Sequence, residues 1–200
     1  MRGTVVPLTP AQIVTRALYL VGAKAGADLD EHVRNPAATC PAATYKLRTY
    51  NGGKDPTAAD PFVRWVEDGV RRVSADCMGG AAWCSGFDRY QPQRFAHIYD
   101  GWINTDSALM DARGPAKCFE DLGRPEPGCM IVCRSGSRGH KIGHVGIVVS
   151  VPPEWDQHQP GCWQALGVVD VAGRSGRANM RTTGRGWFAT GAGFLRSRMA

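Results

Sequence analysis

The order of patterns along the chain predicts an α+β domain. Helical periodicity is concentrated in the first half, apolar runs of strand length follow it, and the links between those runs are short and turn-like. Strands joined in this way pair antiparallel, because a parallel pair needs a long crossover. A sheet of about 4–6 strands is expected. With 200 residues and 43% hydrophobic content the chain can bury one core of ordinary size, so residues 1–200 read as a single domain. The 25 Gly and 13 Pro imply many turns, but the apolar runs argue against a disordered chain.

Each element has its own signal. Thr9-Pro10-Ala11-Gln12 opens the first helix: Thr at the N-cap, Pro at the first helical position and Gln in place to close a capping box. Ile13, Val14, Ala17, Leu18 and Val21 mark one face at helical spacing, and Gly22 is a stop. From Ala23 to Val73 Pro, Gly, Asn and charged residues dissolve the pattern, and a long irregular connection is expected. A second helix is expected from about Asp76 to Gly86, with Cys77, Gly80, Ala81 and Cys84 along one stripe. Those small side chains suit close approach to a sheet. A third short helix lies within Trp102 to Ala112, capped near Asn104 or Thr105. Strands are expected at Cys129–Cys133, Val145–Val151, Val168–Ala172 and Gly193–Arg196.

The chemistry-bearing pair is Cys77, preceded by Asp76 at a helix start, and His144 in the strand pattern Gly143-His144-Val145-Gly146. A cysteine attacks as thiolate, and the unpaired N–H groups and positive dipole end of a helix start favour that anion. An imidazole on a facing element supplies the base. Seven cysteines in an odd set without framework spacing do not suggest a disulfide scaffold, so most are read as small buried hydrophobes.

Asp76-Cys77-Met78-Gly79-Gly80-Ala81-Ala82-Trp83 resembles the Asp-Cys-Ser-Gly-Phe-Val-x-Trp segment of NlpC-type cysteine peptidases, the papain-like cell-wall hydrolases of bacteria and phages. Pro127-Gly128-Cys129-Met130-Ile131-Val132 resembles their Pro-Gly-Asp-Leu-Val strand, and Gly143-His144-Val145-Gly146-Ile147-Val148 their histidine strand. Met78 and Gly80 depart from the usual Ser and Phe, and Cys129 stands where Asp is commoner. Cys84-Ser85-Gly86-Phe87 offers a second register, in which Cys84 is the nucleophile.

The resemblance spans about Tyr45 to Arg196, which makes 1–44 an N-terminal helix and lead-in and 45–200 the catalytic core. It implies a papain-like fold with the nucleophile at a helix start packed on the sheet, and hydrolysis of a peptide or amide bond in the peptidoglycan stem. In that scheme Cys77 is the nucleophile, His144 the base and acid, and Asp170, in Val168-Val169-Asp170-Val171-Ala172, the residue that orients His144. Asp76 and Tyr45, or Tyr50 in its stead, fall on the side that meets the oxyanion and substrate. No cofactor or metal is implied.

The net charge of +6 includes late arginines at 174, 177, 181, 185, 196 and 198, and favours anionic polymers, among them the bacterial wall. No apolar run of membrane length and no signal sequence is present, so an enzyme made in the cytoplasm and carried to the wall by a phage lysis system or a virion is expected. Three other readings compete. Cys129, Cys133, His140 and His144 are zinc-type ligands. A basic nucleic-acid binder is disfavoured by the lack of a basic helical stripe. The third is a degenerate module that binds wall without cleaving it.

Overall fold

In the computed structural model, the described residues are 8–22, 63–67, 70–74, 77–87, 101, 103–115, 118–136, 143–156, 166–172, 177–182 and 192–199. Among the described residues the helices are α1 (Pro10–Gly22), α2 (Cys77–Ser85) and α3 (Thr105–Arg113). The strands are β1 (Val63–Glu67), β2 (Val70–Ser74), β3 (Phe119–Asp121), β4 (Met130–Cys133), β5 (His144–Ser150), β6 (Gly167–Ala172), β7 (Arg177–Thr182) and β8 (Gly193–Ser197). A six-stranded sheet runs in the order β3-β8-β4-β5-β6-β7, with each neighbouring pair antiparallel. The α+β class is as expected.

Local signals set the helix starts. The Thr9 N–H donates to Gln12 Oε1 at 2.9 Å, and the Gln12 N–H to Thr9 Oγ1 at 3.3 Å, closing the predicted box. Asn104 caps α3, accepting from the Ser107 N–H at 2.9 Å, while the Asn104 N–H donates to Ser107 Oγ at 2.8 Å. The far end of α3 is tied to the sheet by Asp111, whose Oδ2 accepts the Phe119 N–H at 2.8 Å.

The inward face of α1 differs from the predicted stripe. Ile13 and Ala17 are buried, but Leu18 is 44% exposed and the buried neighbour is Arg16. Its Nη1 donates to the Trp83 carbonyl oxygen at 2.6 Å, and its guanidinium lies 4.7 Å from the centroid of the Trp83 ring. A cation at the carbonyl end of α2 meets the negative end of that helix, which outweighs the pull of Leu18 toward the core.

The stretch from Ala23 to Val73 is not irregular throughout. Val63–Glu67 and Val70–Ser74 pair as a hairpin in the register Val63↔Ser74 to Glu67↔Val70. The valines at 63, 66, 70 and 73 are separated by Arg, Trp and Glu, which masks the alternation that marks a strand.

Cross-strand registers assign the two faces of the six-stranded sheet. Met130, Val132, Val145, Ile147, Val169 and Leu195 share one face and pack with Ile13, Ala17, Ala81, Trp83, Cys84 and Leu109 of the helices. Ile131, Cys133, Val148, Val168 and Phe194 share the other, in a smaller cluster with Cys129, Leu166 and Trp155. The described helices α1, α2 and α3 therefore cover one side. Among the described residues no helix is long and apolar enough to cross a membrane.

Candidate active site

Cys77 is the first residue of α2, and the small-residue stripe predicted for that helix faces the sheet. Cys77, Gly80, Ala81 and Cys84 line a small recess whose other wall is Val145, Gly146 and Ile147 of β5 with Val169 and Asp170 of β6. Cys77 is half-buried, whereas Met78 to Ser85 are all buried. The one partly accessible thiol of α2 thus stands where unpaired helical N–H groups and the dipole favour an anion.

His144 opens β5, and Asp170 lies on the neighbouring strand, two rungs along on the same face. The His144 Nε2 and Asp170 Oδ2 atoms are 2.7 Å apart, and the residues are 5% and 2% exposed. An ionised carboxylate only accepts, so in that pairing Nε2 is the nitrogen that donates to Asp170. Gly146 occupies the rung opposite Asp170. A Cβ there would fall 2.5 Å from Val168 Cγ1 and 3.1 Å from Asp170 Cβ, so glycine is what lets Asp170 lean across toward His144.

The same registers separate the thiol from the pair. His144 is opposite Cys133 and Gly146 opposite Asp170, on the face of the smaller cluster, while α2 packs on the Val145 and Ile147 face. His144 is nevertheless the first residue of its strand, at the rim of the sheet rather than in mid-face. Cys77 and Asp170 border one recess, and His144 and Asp170 touch.

No family model, curated protein or solved structure matches the chain.

The competing register is disfavoured by electrostatics. Burial pushes the Cys84 thiol up from 9.0 to about 12, with the nearby Arg16 charge offsetting only part of that rise. Burial likewise pushes Cys129 to about 12, partly offset by a hydrogen bond from the Glu126 N–H. Neither thiol ionises near neutral pH. Both folded values lie above the unfolded one. The stabilisation from keeping these thiols neutral is therefore complete below about pH 9 and is lost as pH rises from 9 toward 12. Stability measured by urea unfolding is expected to fall across that window. A thiol-specific reagent at pH 8 is expected to modify Cys77 well before Cys84 or Cys129, as peptide mapping would show.

Tyr45, Tyr50 and Asp76, expected on the oxyanion and substrate side, lie outside the described residues, as does His140 of the zinc reading. Among the described residues no group of three or more His, Cys, Asp and Glu side chains is placed to hold a metal ion. Two further neighbours of His144 carry no signal in the sequence. Cys133 stands directly across from it, and the backbone before it is gripped by α3: a Cβ on Gly143 would lie 1.9 Å from Thr105 Oγ1. Alternation along one strand puts Cys129 and Cys133 on a common face, but only the pairing of β4 with β5 makes it the histidine's face.

Proposed function

We propose that the chain is a thiol hydrolase of peptidoglycan that cleaves a peptide or amide bond of the stem, on a papain-like arrangement of helix and sheet. The observation that carries this reading is the buried His144–Asp170 pair, whose Asp170 borders a recess headed by a helix-start cysteine. A histidine whose Nε2 is held by a carboxylate is oriented and keeps Nδ1 basic, as nucleophilic catalysis needs.

In this reading His144 takes the Cys77 proton across the start of β5, and the thiolate attacks the amide carbonyl. The Cys77 N–H at the helix start donates to the oxyanion. Collapse of the tetrahedral species expels the amine, which leaves with a proton from His144. Water, deprotonated by the same imidazole, then attacks the thioester and frees both the acid and the thiol. The net charge of +6 draws the enzyme to an anionic wall. A phage lysis system or a virion is the proposed route to that wall.

A second thiol is favoured by one observation, the Cys133↔His144 register, which puts Cys133 on the face of the imidazole. Against it, Cys133 is 2% exposed, and a nucleophile has to meet its substrate. Incubating purified wall with the wild type and with Cys77→Ala, Cys84→Ala and Cys133→Ala, and assaying new amino groups, separates these readings. Loss in Cys77→Ala alone is expected. Loss in Cys133→Ala with activity kept in Cys77→Ala would move the nucleophile to the other face. Retention on wall without release by any form would mark a binding module instead.

A further inference from the structure

The residue before His144 is held from two sides, by Ser135 and by Thr105, groups that the proposed reaction does not use. The Gly143 N–H donates to Ser135 Oγ at 3.1 Å, and the Ser135 N–H donates in turn to Asp106 Oδ1 at 2.8 Å. Thr105 Oγ1 occupies the space that a side chain at 143 would need. Thr105 and Asp106 are the first two residues of α3, whose start is fixed by the Asn104–Ser107 box. The far end of α3 is anchored to β3 through Asp111. A rigid helix thus grips both ends of the link between β4 and β5, at Ser135 and at Gly143.

That grip bears on the imidazole. His144 is the first residue of β5, so its backbone is set on one side by the ladder to Cys133 and on the other by Gly143. A shift of Gly143 turns the Cα–Cβ bond of His144 and, through it, the ring that must reach both Asp170 and the substrate. Small misplacements of a reacting group cost large factors in rate.

We propose that Asp106 is a positioning residue for His144, acting through the Ser135 N–H and the Ser135 hydroxyl on the Gly143 backbone. This rests on the hydrolase reading only for its effect on rate; the effect on the imidazole stands without it. The carboxylate at the second position of α3 also favours the helix dipole, so a loss on removing it has two sources. The amide isostere separates them, because Asp106→Asn gives up the charge but keeps an oxygen able to accept from the Ser135 N–H.

The test compares full-length wild type, Asp106→Ala, Asp106→Asn and Ser135→Ala by nitrogen-edited NMR of the histidine rings, with wall-hydrolysis kinetics and urea unfolding alongside. Asp106→Ala and Ser135→Ala are expected to shift or broaden the His144 ring signals and to lower kcat roughly ten- to hundredfold, with KM changed less than about twofold. Asp106→Asn is expected to restore the wild-type ring signals and most of kcat, even though its unfolding midpoint falls with the lost charge. Unchanged ring signals in Asp106→Ala would overturn the proposal. So would an Asp106→Asn variant as perturbed as Asp106→Ala. A wild type that releases no amino groups would sink the hydrolase reading alone, and the ring signals would still decide the role of Asp106.

Discussion

Asp170→Asn is expected to lower kcat for wall hydrolysis by on the order of 10²–10⁴ while leaving KM within a few-fold. The two side chains have nearly the same shape, so the fold survives. What changes is the proton on the ring. The carboxylate can only accept from Nε2, whereas an amide can present an N–H to that nitrogen, which favours the tautomer with hydrogen on Nδ1. The basic lone pair then points at residue 170, and the nitrogen that takes the thiol proton in the proposed mechanism is already protonated. Asp170 is 2% exposed, so substrate binding has little reason to change. Amino-group release against wall concentration checks both parameters. A kcat within threefold of wild type would reduce Asp170 to a structural partner of His144.

Trp83→Ala is expected to destabilise the protein by about 3–5 kcal/mol, the range for truncating a buried aromatic. Trp83 has no exposed surface, and its ring lies under the Arg16 guanidinium, whose Nη1 is bonded to the Trp83 carbonyl oxygen. Removing the ring opens a cavity between α1 and α2 and strips a buried cation of its aromatic partner. Urea unfolding should show a lower midpoint at an unchanged slope. A loss below about 1 kcal/mol would mean that the two helices are held by something other than this packing.

Much of the architecture was legible in the sequence where the signal was local. The caps at Thr9 and Asn104 each involve residues three apart, and the small stripe from Cys77 to Cys84 needs only helical geometry, so pattern and structure coincide. The β1–β2 hairpin and β7 were not legible. Arg64, Arg71, Arg72, Arg177 and Arg181 interrupt their apolar positions, and β3 has only three residues. At the site, the motif pointed to His144 and Asp170, which the structure brings together. It was silent on which face of the sheet the helices cover, because Val145-Gly146-Ile147-Val148 is apolar or small on both sides. The Asp106–Ser135 bond spans 29 positions and has no local signature at all.

The place of β5 and β6 in the strand order has a consequence for motion. Each has a hydrogen-bonded strand on both sides, β5 between β4 and β6, and β6 between β5 and β7. Their amides can exchange with solvent only when several ladders break at once, an opening that approaches the free energy of unfolding the whole sheet. The backbone under the carboxylate, at Asp170 between Gly146 and Asn179, is accordingly among the slowest-breathing parts of the described residues. In the proposed reaction, fluctuations fast enough to admit and release a polymer would have to come from elsewhere.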